Sequence, residues 1–314
     1  KEKPRTLVSH ISTGRHYNIN SKSGRLQVLF TDSDQRNNIY NTDIASYYEN
    51  MECIEEMHHP YVVITPDNMV YTADFSKLIE QHIQSEADIT LLYHAVDNAK
   101  DAYLNCNILN LNKQKGVLSL EPNHGNAKNR NIFMDTYVMR KDLFMELVKK
   151  GRKISSMFTL NDIVNMACSE LDVRGVSHRG FFASITDFTS YYNANLSLID
   201  MKNAVTLFDK NWPIYTRTND SCPTKYYEGA SVKRSVISNG CLIEGTVENS
   251  VIGRGCVIKK GAVVKDSVIL PGVVIGEDAR IEAQVVDKSA RIVHAKELIA
   301  DPEKPGYVRR NDTL

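Results

Sequence analysis

Two hydrophobic rhythms divide the chain. From about residue 26 to 200, short apolar runs of strand type alternate with stretches whose apolar residues recur at helical spacing. That alternation produces an α/β layer fold with a largely parallel sheet. "RLQVLF" (25–30) predicts one strand. Ile39, Ile44, Tyr48, Met51, Ile54 and Met57 fall near helical spacing before Pro60, so a helix leads into the strand "YVVIT" (61–65). "DFSKLIEQHIQ" (74–84) predicts the next helix, "ADITLLYHAV" (87–96) the next strand, and "CNILNLNKQKGVLSLEP" (106–122) a hairpin about Lys115-Gly116. "NIFMDTYVMRKDLFMELVKKG" (131–151) reads as a strand running into a short helix closed by Gly151. Thr159 can cap the helix "LNDIVNMACSEL", and "DFTSYYNANLSLID" (187–200) makes a further one. The expected core of residues 1–200 is a mixed sheet flanked by helices.

Residues 201–225 break this rhythm with "NWPIYTRTNDSCPTK", which holds the sole tryptophan, Trp212, and reads as a linker. From 226 to 314 the sequence repeats. Val251-Ile252 recurs as Val268-Ile269 and Val285-Val286, 17 residues apart each time, and inside each period aliphatic residues follow at steps of six, six and five: Ile252, Ile258, Val264, Ile269, Ile275, Ile281, Val286. One such coil cannot bury its own apolar face but a stack can, which is the logic of a parallel β-helix of hexapeptide repeats. Gly253, Gly255, Gly261, Gly272 and Gly276 lie between the aliphatics, where tight corners call for positive φ.

Composition narrows the function. With 38 acidic and 38 basic side chains, the chain has no net field to recruit nucleic acid or an acidic membrane. No apolar run approaches the roughly 20 residues of a bilayer span, and no signal-peptide pattern is seen, so a cytoplasmic location is the default expectation. Cys53, Cys106, Cys168, Cys222, Cys241 and Cys256 are far apart without a C-x-x-C pair, which argues for reduced, mostly buried thiols. The opening "KEKPRTLVSHI" reads as a chain entered mid-domain, with an N-terminal part expected to be missing.

The succession of α/β domain, Pro-containing linker and β-helix resembles the sugar-nucleotide pyrophosphorylases. "SYYNANLSLID" (190–200), "WPIYTRT" (212–218) and "CPTKYYEGASVKRSVISNGCLIEGTVENSVIGRG" (222–255) narrow the resemblance to the ADP-glucose pyrophosphorylases. The resemblance implies a Rossmann-like nucleotidyltransferase sheet, a left-handed β-helix, and attack of glucose 1-phosphate on the α-phosphorus of ATP. Such chemistry rests on positioning and charge neutralisation by a backbone cradle, magnesium carboxylates and a cation on the sugar phosphate. The family's glycine-rich loop would precede Lys1.

Measured against that resemblance, the ligand-touching positions are altered. The family's S-G-D-H strand end is "TPDN" here, so Asp67 holds the first metal position, although Pro-Asp-Asn is equally a turn. Its W-x-D-V-G-T motif, counted back from Ser190, puts Ser184 where the second metal aspartate belongs, and Asp187 is better placed to cap the following helix. Its E-K-P motif corresponds to "LEP", which puts Glu121 where a lysine should hold the sugar phosphate. Lys128 in "NHGNAKN" is a weak substitute.

The pattern resembles a GlgD-type regulatory subunit that accompanies a catalytic chain in glycogen-making bacteria. It implies a hetero-oligomer, expected to be a tetramer, with a sugar-phosphate or glycolytic effector. No tightly bound cofactor is expected, and magnesium only where residual nucleotide binding persists. Arg5, His10, Arg15 and Lys225 are candidate effector contacts, and Asn38, Asn41 and Asp43 candidate remnants of a nucleotide pocket. An active nucleotidyltransferase with rearranged residues is the alternative. A hexapeptide acyltransferase is a third reading, for which the coils offer only His294. His58 and His59 are adjacent on a helix and so diverge, which disfavours a metal site there.

Overall fold

The computed structural model describes residues 5–11, 26–30, 42–209, 212–215 and 220–314. The chain forms two compact units. The first runs to Phe182 and takes back a short stretch at Trp212; the second begins at Ala183 and holds the repeats. The division thus falls ahead of the segment 201–225 expected to join the domains.

In the first unit the elements are α1 (Arg5–Ile11), α2 (Asp43–Glu49), α3 (Met51–Glu55), β1 (Tyr61–Ile64), β2 (Met69–Tyr71), α4 (Phe75–Ser85), β3 (Ile89–Val96), β4 (Asn107–Leu111), β5 (Val117–Pro122), β6 (Arg130–Arg140), α5 (Lys141–Ile154), α6 (Leu160–Ala167) and β7 (Val173–Ser177), with β8 (Phe182–Ser184) at the division. The main sheet has the order β5-β4-β6-β3-β7, and β1 also pairs with β6. The sheet is mixed, as expected for residues 1–200, with less parallel pairing than the strand–helix alternation suggests. β3 and β7 are parallel, but β6 runs against β1, β3 and β4. The βαβ rhythm places β1 and β3 on either side of β6 rather than side by side, with Ile64 and Leu91 both opposite Tyr137.

One face of this sheet (Leu91, Leu109, Phe133, Met139) packs with Ile44, Phe144, Leu147, Ile163 and Val164 of α2, α5 and α6. The other (Leu92, Ile108, Ile132, Val138) packs with Leu78 of α4. α5 buries Phe144, Leu147, Val148 and Gly151 at helical spacing. Gly151 does not close that helix as expected; the helix runs on to Ile154 and is capped by Ser155. Gly151 is instead a contact point, where an added Cβ would lie 2.5 Å from Ile44 Cδ1. The described part of "RLQVLF", Leu26 to Phe30, forms no strand, and Leu26, Leu29 and Phe30 are exposed. No described strand pairs with it. The helix expected over 39–57 is broken at Asn50 into α2 and α3, and the hairpin turn falls where the sequence puts it, with Lys115 at φ 65°.

The second unit joins α7 (Phe188–Ser197) and α8 (Met201–Leu207) to the β-helix. Three parallel five-stranded sheets form its walls. The register Val251↔Val268↔Val285 reproduces the 17-residue repeat, and the first step, Val236↔Val251, is shorter. Ile252, Ile258, Val264, Ile275, Ile281 and Val286 are all fully buried. Gly255, Gly261 and Gly272 take the positive φ expected of them, whereas Gly253 and Gly276 make room for backbone, at Pro271 N and Ile292 O. Asn249, Asp266 and Ala283 supply a corner with positive φ and no glycine.

A hydroxyl ladder runs beside that corner. Ser235, Ser250 and Ser267 each donate to a carbonyl two residues back at 2.7 Å. Each also accepts the amide of the next coil, from Ser250, Ser267 and Gln284 in turn. Both functions of every hydroxyl are thus used, which makes their burial cheap. α7 joins this unit because Tyr192 is buried against Val268 and Val285 and its hydroxyl donates to Asp266 O.

Candidate functional site

The sheet of the first unit carries a notch. β1 covers Tyr137 to Arg140 of β6 and β4 meets Ile132, so Phe133 to Thr136 lie between the two pairings. On the other edge of β6 the register with β3 slips at Leu92/Tyr93. The backbone turns out of its strand conformation at Asp135, φ 42°, a region that costs a non-glycine residue roughly 1–2 kcal/mol.

Asp135 is hydrogen-bonded to the Asn107 side chain at the start of β4. Burial raises the Asp135 carboxyl to about 6; the Asn107 bond pulls the other way, and the Asp43 charge adds to the rise. Behind the notch, Thr136 Oγ1 donates to Met134 O at 2.8 Å, so it accepts from Tyr71 OH at 2.6 Å. Burial pushes the Tyr71 hydroxyl up, and Tyr137, deeper still, well up.

The sequence-expected residues do not form one charged set among the described residues. Asp67 is exposed in a bend between β1 and β2, as its turn chemistry allows. Glu121 is exposed on the edge strand β5, opposite Ile108. Ser184 is buried in the second unit, 7% exposed. Asp187 is the N-cap of α7: its carboxylate accepts Ser190 N at 2.7 Å, and Ser190 Oγ accepts Asp187 N at 2.9 Å. Lys128 is exposed.

Asp43 is a structural group. Its Oδ1 accepts Ile44 N at 2.7 Å and Leu160 N at 3.1 Å, which ties the start of α2 to the start of α6. Burial raises its pKa. His58, His59 and His294 are exposed, and the His294 amide donates to Leu314 O in the final coil. His10 and Lys225 are exposed; Arg15, Asn38, Asn41 and the Arg5 side chain lie outside the described residues.

Magnesium needs hard anionic oxygens and two-point or better support. Asp67 supplies one exposed carboxylate and Ser184 a neutral hydroxyl. Among the described residues no group of three or more His, Cys, Asp or Glu converges. These residues do not fit a resident magnesium ion. No described helix is long and apolar enough to cross a membrane.

Sequence reasoning passed over Asp135 and Asn107. The available signal was "IFMDTYVM": an aspartate set in a long apolar strand must be satisfied or shifted in pKa, since burying an unpaired carboxylate is costly.

A mixed sheet with a notched β6 is followed along the chain by a hexapeptide coil. Residues 2–198 match the nucleotidyl transferase family and residues 223–307 the GlmU-like C-terminal hexapeptide family. The chain belongs to the nucleotidyl transferase family. Its relatives include the glucose-1-phosphate adenylyltransferase of Bacillus cereus, 26% identical over 96% of this chain and 80% of that protein. The enzymes of the same name from Clostridioides difficile and Clostridium perfringens are 29% and 28% identical, over 87% and 86% of this chain and 71% and 69% of theirs.

Proposed function

We propose that this chain is a regulatory, catalytically weak or inactive subunit of a glucose-1-phosphate adenylyltransferase, acting on a catalytic partner in a hetero-oligomer. The observation that carries the reading is Ser184. A buried hydroxyl stands where the resemblance asks for a metal carboxylate, and a hydroxyl cannot offset the cost of dehydrating magnesium. Glu121 points the same way. A carboxylate at a position meant to hold a phosphate repels it, by about 1 kcal/mol for unit charges 4 Å apart in water and more where solvent is thin.

The intact coils and sheet fit a chain retained for assembly. Its effect on the partner would be a bias between conformational states, for which a coupling of about 1–3 kcal/mol suffices. A sugar phosphate or glycolytic intermediate is the proposed effector, and the glycogen-forming cytoplasm the proposed setting.

The test measures ADP-glucose synthesis from ATP and glucose 1-phosphate by this chain, by a catalytic adenylyltransferase subunit, and by the mixture. The expected result is no turnover by this chain and a mixture that exceeds the catalytic subunit alone or gains effector sensitivity. Glu121→Lys combined with Ser184→Asp should then confer detectable turnover on this chain. Efficient synthesis by the unmodified chain, abolished by Asp67→Ala, would overturn the proposal in favour of an active enzyme with rearranged residues.

A further inference from the structure

At the far end of β3 the first unit holds an imidazole pair that the nucleotidyltransferase reading does not use. His178 Nε2 lies 3.0 Å from Thr72 O, and its Nδ1 lies 3.3 Å from His94 Nδ1. The arrangement fixes the protons. A carbonyl oxygen can only accept, so His178 carries its proton on Nε2 and presents a lone pair at Nδ1. His94 must then donate from Nδ1, which leaves His94 Nε2 unprotonated.

Both rings are held in place. Tyr71 meets His178 edge-on at 5.7 Å, Phe182 lies 5.2 Å from His94, and Tyr103 stacks on Phe182 at 5.6 Å. The loop that carries Tyr103 is tied down by side-chain bonds: buried Asn123 donates to the carbonyls of Ala99, Ala102 and Tyr103, while Tyr103 and Asn105 sit at φ 56° and 66°. Strained backbone held by a dedicated side chain marks a surface whose shape is fixed in advance. Burial holds both imidazoles below their ordinary pKa, and at His94 the neighbouring His178 adds to the effect. Backbone oxygens that accept from the rings, at His178 for His94 and at Thr72 for His178, act against these shifts. The neutral tautomers are therefore the ones present near neutral pH.

His94 lies in the wall of a wide, open cleft of about 510 Å³ whose polar lining is completed by Asp97, Asn98, Tyr103 and Asn129. The lining residues bring a carboxylate, an imidazole and two amides, and none of them is a Lys or Arg. A phosphate or carboxylate ligand meets acceptors and a like charge there. A primary ammonium meets the reverse: three N–H donors for the Asp97 carboxylate, His94 Nε2 and an amide oxygen, in charge-assisted bonds stronger than a neutral hydroxyl can make.

We propose that this cleft is a binding site for a small primary-amine cation, with His94 Nε2 and Asp97 as its acceptors and His178 as the positioning residue that sets the His94 tautomer. None of its residues is among those that carry the regulatory-subunit reading, so the two can fail separately.

The test titrates the intact chain with spermidine, with 1-aminobutane as the minimal probe and glucose and inorganic phosphate as contrasts, followed through the long-range nitrogen–proton spectra of the imidazoles. The expected starting spectrum shows His94 protonated on Nδ1. Millimolar amine should move the Nε2 resonance as it gains a donor. Asp97→Asn, at an exposed position, should weaken binding about 10- to 100-fold, the range for one charge-assisted bond. His94→Gln should weaken it similarly. His178→Phe should release His94 to the mixed tautomers of a free imidazole. An Nε2-protonated His94 in the unliganded chain, an unmoved His94 resonance, amine binding unchanged in Asp97→Asn, or glucose or phosphate binding as well as the amine would each overturn the proposal.

Discussion

Replacing Asp135 by asparagine removes one charge from the notch and keeps its shape. The carboxyl titrates at about 6 in the folded chain against 3.8 for the reference group. The native state therefore holds its proton through a pH window in which the unfolded chain has lost it, and stability falls as pH rises through that window. That difference corresponds to about 3 kcal/mol, fully expressed above pH 7. That is an upper value, because the residue is only half-buried. Close to pH 4 the same linkage leaves roughly half a kcal/mol. Asparagine tolerates left-handed backbone and can still accept from Asn107, so neither geometry nor pairing should change sign.

Asp135→Asn is thus expected to stabilise by about 2 kcal/mol at pH 8, about 4–8 °C in Tm for the transition of the first unit, and by little near pH 4. Denaturant unfolding of both chains from pH 4 to 8 reads the difference directly. A difference that is flat with pH, or that grows toward acid, would refute the buried-carboxyl argument. Asp135→Gly should exceed Asp135→Asn at pH 4 if the left-handed backbone also costs energy.

Gly151→Val should destabilise by about 1–3 kcal/mol, since its Cβ meets Ile44 Cδ1 and leaves α5 no room to approach α2; equilibrium unfolding measures it. Ile258→Ala empties one inward position of the coil stack, and a loss of about 2–5 kcal/mol should show in the unfolding of the second unit. The lowered imidazole pKa values of His94 and His178 act oppositely to Asp135: the unfolded chain takes up their protons first, so stability is lost as pH falls through the ordinary imidazole range. His178→Phe should flatten that acid limb in a pH series of Tm values, and an unaltered limb would count against the burial of the pair.

The coils were legible because each inward position, Ile252, Ile258 and Val264 onward, meets the same surroundings one coil later. A local rule therefore predicts a tertiary result. The cap at Asp187 was legible for a related reason, its partner Ser190 being three residues away. The sheet was less so. "RLQVLF" has strand composition, but a strand exists only where another offers an edge, and the antiparallel insertion of β6 between β1 and β3 depends on pairings far apart in sequence. Asp135 escaped notice because in a list of residues it looks like an outward polar position. Its left-handed backbone follows from the slip between β6 and β3. His94 and His178, 84 residues apart, could be joined only by the fold.

The hydroxyl ladder has a consequence for how this chain can vary. Ser250-Val251 and Ser267-Val268 present the same corner to the coils on either side. Excising residues 251–267 would splice Ser250 onto Val268 and recreate the junction that Ser267 makes now. Gain or loss of length in the repeat region is therefore least disruptive in whole turns of the stack, and an indel of another size moves the inward aliphatic residues out of register with the coil beside them.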